Sequence, residues 1–329
     1  MSETLDPIPH LAVAEPELGG YTPDHDGDGD GDFAALDRMA RVLTASGDYR
    51  VLRRFSPRRR YCTAEGIETK LALFVDVECT GLDTAHDAII EFAAVPFTFD
   101  PRTGRIHEVC EAFVQLEDPG RPIPVEVVEL TGITDDMVRG HRVDDALVDG
   151  ILGDVVLVVA HNAAYDRPFV ERRFPAFRNL HWACSHAEVP WPKLGCRGSK
   201  LDYLLFQRCA EFFDGHRADE DCRAAIHVLA TPHVDGTIPF KLLLESARTP
   251  TVRVWAEGSP IETKDQLKAR RYRWHPGDAR RSKCWYRDCT PAELDAEIAW
   301  LTETVYGGRK PGHRIDRFTA KERYSSRMS

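Results

Sequence analysis

Five residues of this chain have the types and spacing for one kind of chemistry. Asp76 and Glu78 stand two apart in the apolar run LALFVDVE, so a strand there sends both carboxylates out of one face. Asp166 follows a second apolar run, DVVLVVA at 154–160, after a short polar turn, near the start of a helix beside that strand's carboxyl end. Asp221 lies where Cys222, Ala225, Ile226 and Leu229 recur at helical spacing, and His216 precedes it by a little over one turn. Buried strands rarely carry carboxylates without a compensating cation. A phosphodiester is anionic and repels hydroxide, so its hydrolysis commonly uses two divalent cations about 4 Å apart to clamp the attacking and leaving oxygens. Mg2+ and Mn2+ take oxygen ligands, which makes Asp76, Glu78, Asp166 and Asp221 the expected cradle for two such ions. His216, with an ordinary pKa of about 6.5, would take a proton from water at neutral pH.

The motifs around these residues resemble a known family. DVECTGL (76–82) is similar to the first motif, D-x-E-x-T-G-L, of the DEDDh group of 3′→5′ exonucleases, which includes the proofreading epsilon subunit of bacterial DNA polymerase III. HNAAYD (161–166) is similar to its second motif, with Tyr165 where phenylalanine is usual, and HRADED (216–221) to its third. The histidine in the third motif separates this branch from relatives that use tyrosine. IIEFAAV (89–95), LTGIT (130–134) and KLDYL (200–204) stand where the family has its second strand, a G-I-T turn and a lysine-leucine helix; Thr131 occupies a position that is often histidine. The resemblance spans residues 70–231. It implies that Asp76, Glu78, Asp166 and Asp221 hold the metals, that His216 activates water, and that Thr80, Gly81, Leu82, His161, Asn162 and Tyr165 line the substrate. In particular, the backbone of 80–82 would hold the 3′-terminal nucleotide while Leu82 packs on its base; otherwise Leu82 is an ordinary turn hydrophobe.

Composition sets the surroundings. The chain has 329 residues, 43% hydrophobic, enough for two domains, and no apolar run approaches a membrane span. The first residues lack a basic leader, and nine cysteines without small-scaffold spacing fit a reducing cytoplasm. Cys284, Cys289, His275 and His313 could be imagined as a zinc set, but they lack a C-x-x-C pair. The net charge of −10 is unevenly spread: residues 1–32 hold nine acidic and no basic side chains, whereas 245–329 hold 18 basic and 12 acidic. A nucleic-acid footprint is therefore expected toward the C-terminus.

The elements that must position the site follow in order. Residues 1–32 lack periodicity and are expected to form a disordered acidic tail. Within it DGDGDGDFAALD (26–37) partly imitates a calcium loop, with a solvated acidic linker as the plainer reading. An extension (33–69) would carry a helix through Leu36, Met39 and Leu43, a strand at 48–55, and the basic run RRFSPRRR (53–60) as phosphate contact or solvated linker. Three antiparallel strands are expected near 71–77, 88–97 and 107–115, then helices and parallel strands including 155–160. With the resemblance, this implies an α/β, RNase H-like mixed sheet with flanking helices over 70–231. A linker (232–250) would lead to a small basic α+β module (251–329), with a strand at VRVWAEG, a hairpin of RRYRW and KCWYR, and a capping box at Thr290 and Glu293. Trp274 and Trp285 are expected as the hairpin's own core, and Tyr272 and Tyr286 outward among Arg271, Arg273, Lys283 and Arg287 would suit stacking of single strands.

The expected activity is a metal-dependent 3′→5′ exonuclease acting on single-stranded or 3′-end nucleic acid, DNA before RNA. Discrimination at the 2′-hydroxyl leaves no motif. The alternatives are an RNA exonuclease of the same family, a catalytically idle binding module, and a proofreading partner of a DNA polymerase.

Overall fold

The computed structural model describes residues 30–215, 217–278, 281–309 and 313–328. Its elements run α1 (Asp30–Ala45), β1 (Arg53–Arg54), β2 (Lys70–Cys79), β3 (Ile89–Phe99), β4 (Ile106–Val109), β5 (Phe113–Leu116), then α2 (Val125–Thr131), α3 (Asp135–Val138) and α4 (Asp145–Ile151). There follow β6 (Val155–Ala160), α5 (Ala163–Arg173), β7 (Trp182–Cys184), α6 (Ser185–Glu188), α7 (Leu201–Cys209), β8 (Glu211–Phe212), α8 (Ala218–Ala230) and α9 (Pro239–Arg248). The last part holds β9 (Thr251–Ala256), α10 (Lys264–Ala269), β10 (Arg273–His275), β11 (Cys284–Cys289), α11 (Leu294–Trp300) and β12 (His313–Phe318). The expected tail falls outside the described residues up to residue 29, and with it the first part of the calcium-like stretch (26–29); Asp30 already begins α1, and Asp37 pairs with Arg53 at 2.6 Å.

The first sheet is mixed, in the order β4-β3-β2-β6-β7, with β5 also on β3. β2 pairs antiparallel with β3 and parallel with β6, and β6 pairs parallel with β7. This is the RNase H-like arrangement the sequence implied. The single strand expected at 107–115 is two strands. Pro96 in β3 accepts from the Cys110 N–H at 2.8 Å but has no N–H to return, so the outer ladder of β3 breaks there.

Alternation along β2 builds two cores. Ala72 and Phe74 join a cluster with Phe97, Leu205, Ala225 and Phe240, whereas Leu73, Val75 and Val77 join Phe92, Phe169, Val170 and Trp182 on the other face. Each buried Val, Leu or Phe side chain among them contributes about 1.5–3 kcal/mol by leaving water. The stretch 232–250 contributes α9, whose Phe240, Leu243 and Leu244 belong to the first cluster, with the Phe240 ring 5.3 Å from Phe97 and 5.1 Å from Phe99. Helix α1 forms at the expected place, yet Leu36, Met39, Val42 and Leu43 lie exposed.

The C-terminal part is a four-stranded antiparallel sheet, β10-β11-β9-β12, with a core of Val252, Val254, Leu267, Tyr272 and Leu301. The capping box at Thr290 is present, its N–H donating to the Glu293 carboxylate at 2.7 Å. The expected outward Tyr272 is instead buried, its hydroxyl donating to Glu297 at 2.8 Å. Trp274, expected in the core, is half exposed. Tyr272 lies before β10, where its hydroxyl reaches Glu297 of α11, whereas Trp274 lies on the edge strand β10 opposite Trp285. β12 was not legible as a strand, since HRIDRF is mostly charged and takes its pairing from the apolar β9.

After β12 the chain returns to the first sheet. The Trp182 N–H donates to Ala320 O at 2.8 Å, covering the free edge of β7. Arg167, fully buried, donates to Ala320 O at 3.2 Å, Arg323 O at 2.6 Å, Lys321 O at 2.6 Å and Glu171 at 2.7 Å. Arg323 in turn pairs with Glu188 at 3.0 Å. The C-terminal module is thus joined to the first sheet at both of its ends.

Candidate active site

β2 makes the site by outrunning its core. Ala72 and Phe74 face α8, and Asp76 and Glu78 continue the same face toward the end of the sheet, where α8 presents Asp221. One ligand atom from each of Asp76, Glu78 and Asp221 lies within 4.8 Å of the others. Asp166 arrives from the first turn of α5, buried, with a hydrogen bond to the backbone at Val77. Among the described residues this is the only gathering of three or more potential metal ligands. Cys284, Cys289, His275 and His313 are not gathered: an odd separation along β11 sends the two cysteines to opposite faces.

The electrostatics are those of carboxylates forced together. Burial first, then the charges of Asp166, Asp221 and Glu78, push Asp76 well above the usual carboxylate range. Burial and the neighbouring Asp221 and Glu91 raise Glu78 to about 7, against a lowering pull from Arg217. Burial raises Asp166 to about 8, although backbone hydrogen bonds oppose the shift. Such a set is comfortable as anions only when cations lie among them. All its donors are oxygens, which suits Mg2+ or Mn2+ rather than a soft metal.

His216 lies outside the described residues. Its flanks are ordered by Glu91. Glu91, fully buried on β3 directly across from Glu78, accepts from Arg217 at 2.8 Å and from the Ala218 N–H at 3.0 Å. One carboxylate therefore caps α8, which carries Asp221, and fixes the residue after His216.

The six expected substrate-lining residues divide. Leu82 is 84% exposed. Thr80 is buried, accepting from Arg121 at 2.7 Å and from the Ala88 N–H at 3.0 Å and donating to Asp87 at 3.0 Å. Gly81 leaves no room for a side chain, because a Cβ would overlap the Asp87 carboxylate. Its carbonyl accepts from the Tyr165 hydroxyl at 3.1 Å. Asn162 is exposed at the N-cap of α5. Both ring nitrogens of His161 are engaged, by Ser185 Oγ at 2.9 Å and Ser199 O at 2.8 Å, and burial lowers its pKa to about 4. Thr80, His161 and Tyr165 thus shape the turn and the start of α5. The supporting Asp87 and Arg121 carried no signal in the sequence beyond their charge.

A carboxylate cluster on the end of an RNase H-like sheet defines a nuclease-type site. A family profile described as Exonuclease matches residues 73–229. The epsilon subunit of DNA polymerase III from Treponema pallidum is 31% identical over 188 residues, covering 54% of this chain and 83% of that protein. The chain belongs to the exonuclease family. The PolC-type DNA polymerase III of Halalkalibacterium halodurans is 39% identical over 177 residues, or 50% of this chain. Against PolC-type relatives of this kind the chain spans only 6–11% of their length. Among solved structures, the zinc-bound complex of E. coli ExoI with single-stranded DNA aligns with a TM-score of 0.47 at 15% identity, covering 68% of this chain and 63% of that one.

Proposed function

We infer that the protein is a 3′→5′ exonuclease that shortens DNA to nucleoside 5′-monophosphates. The observation that carries this reading is the gathering of Asp76, Glu78 and Asp221 within 4.8 Å, in a chain of the exonuclease family. The names of the relatives, DNA polymerase III PolC-type and epsilon, favour DNA over RNA and make a DNA polymerase the first partner to test. All nine cysteines are free thiols, which favours the cytoplasm, and no described helix is long and apolar enough to cross a membrane.

Asp76, Glu78, Asp166 and Asp221 would hold two Mg2+ or Mn2+ ions, which when bound supply charge stabilisation to the attacking and leaving oxygens. His216 takes the proton of the attacking water; the water oxygen bonds to the terminal phosphorus, and the bond to the 3′-oxygen breaks, that oxygen taking a proton from solvent to leave a new 3′-hydroxyl. Leu82 packs against the terminal base, and Thr80 and Gly81 hold the turn that presents it. End-labelled DNA and RNA oligonucleotides incubated with Mg2+, Mn2+ or EDTA test the reading. Shortening of DNA from the 3′ end with metal only is expected. Shortening from the 5′ end, activity in EDTA, or exclusive action on RNA would overturn it.

A further inference from the structure

The C-terminal sheet carries more positive charge than its ion pairs consume. Three carboxylates each serve two guanidiniums: Asp288 holds Arg253 and Arg273, Asp316 holds Arg281 and Arg314, and Glu297 holds Arg270 and Arg287. Each set keeps one uncompensated positive charge. In the first two sets the inner arginine is structural. Arg253 is 8% exposed and stacks 4.4 Å from the Tyr286 ring centroid, and Arg281 is 11% exposed and 3.4 Å from that of Trp255. The outer arginine faces water, Arg273 at 60% and Arg314 at 53%. Arg273 is thus oriented by Asp288 yet keeps donors for another anion.

Arg273 sits on the edge strand beside an unusual aromatic. Trp274 is 50% exposed, and its ring is braced at 5.3 Å by Trp285, which packs into the module's core. The exposed Arg271 precedes them at φ 66°, a left-handed conformation that a non-glycine residue adopts at a cost. The half-exposed indole of Trp274 and the exposed guanidiniums of Arg271 and Arg273 border one edge of the sheet, with Arg273 and Trp274 leaving opposite faces of β10. A chain running along that edge meets both the charge and the flat ring that a flexible polyanion with flat bases needs. A tryptophan face stacks bases of any sequence, and the nearby arginines neutralise the phosphates.

We propose that Arg271, Arg273 and Trp274, on the β10 edge, form an accessory site for single-stranded nucleic acid, separate from the carboxylate cluster. The proposal rests on the exonuclease reading for the class of ligand, and binding in EDTA separates the two. Full-length protein is titrated into a short and a long fluorescent oligo-dT in EDTA, with anisotropy as the readout. Trp274→Ala and the double variant Arg271→Ala/Arg273→Ala should each weaken binding of the long strand on the order of tenfold, while Trp274→Phe largely restores it. The double variant should also lose about 1.4 units of salt slope, two contacts at about 0.7 each for a single strand. Arg314→Ala, at the far edge of the sheet, removes equal charge for one site and should matter less than Arg273→Ala. With Mg2+, Trp274→Ala should raise KM on long strands and leave kcat unchanged. Wild-type affinity in Trp274→Ala and in the double variant would overturn the site, as would an Arg314→Ala loss equal to that of Arg273→Ala. Binding losses in EDTA with no hydrolysis by any protein would support the site and count against the exonuclease reading alone.

Discussion

Arg167→Met tests whether the returning C-terminal segment is part of the fold that holds the site. Arg167 follows Asp166 directly, and its side chain is fully buried. It makes four hydrogen bonds, to Glu171 and to the carbonyls of Ala320, Lys321 and Arg323. Breaking a buried ion pair by deleting one partner costs about 3–5 kcal/mol. Some of the abandoned groups keep other partners: Glu171 still accepts from Ser325 at 2.6 Å and Arg327 at 3.0 Å, Ala320 O from the Trp182 N–H, and Lys321 O from Arg327 at 3.3 Å. Methionine also retains most of the apolar volume. The expected loss therefore falls near the lower end, about 3 kcal/mol, read by urea unfolding. Arg167→Lys should lose less but not recover, because an ammonium lacks the planar fork that meets three carbonyls and a carboxylate at once. Replacing Arg167 and Glu171 together by methionine should cost less than the sum of the single changes. Limited proteolysis should cut 319–328 in Arg167→Met before the core opens. A loss under about 1 kcal/mol, or a tail as protected as in the parent, would refute the coupling.

Three further outcomes are expected. Glu78 is raised to about 7 and Asp166 to about 8, so folded apoprotein holds protons that the unfolded chain has released, and its melting temperature should fall between about pH 5 and pH 8. Mg2+ or Mn2+ should flatten the fall and so should Asp76→Asn, which also abolishes activity, whereas a flat or rising apo profile would contradict the crowding of charges. His216→Ala should lower turnover by roughly 10²–10⁴-fold with little change in metal affinity; an unchanged rate would assign the proton transfer elsewhere. Gly81→Ala forces Asp87 away from Thr80 and Arg121, and should raise KM through a displaced 80–82 turn; unaltered KM would free that turn of a substrate role.

The legible and illegible parts divide by how local their causes are. β2 was readable because an apolar run with carboxylates at period 2 has one geometry, and α8 because Cys222, Ala225, Ile226 and Leu229 repeat at helical spacing. The gathering of Asp76, Glu78 and Asp221 follows once those two elements pack on one face. What resisted reading depends on distant partners. Glu91 looks like any charged residue in a strand until α8 places Arg217 and Ala218 over it, 126 and 127 residues away in sequence. β12 holds only Ile315 and Phe318 as apolar residues and exists because β9 offers it a ladder. Tyr272 and Trp274 exchange their expected places because an edge strand leaves one flank open, which a hairpin drawn from sequence alone does not reveal.

The same reasoning joins the two halves of the molecule. Had the C-terminal module been a bead on a linker, α9 would be solvated and the chain after β12 would lead away. Instead Phe240 packs against Phe97 and Phe99 in the core of the first sheet, and Arg323 donates to Ser246 O and Ala247 O at the end of α9 while pairing with Glu188 at the end of α6. One buried guanidinium thus ties the path into the module to the path out of it. A strand held at the β10 edge would therefore be held in fixed geometry to β7 and α5, and through α5 to Asp166. A site on so fixed a mount can raise the effective concentration of a DNA end at the carboxylates without any change of shape on binding.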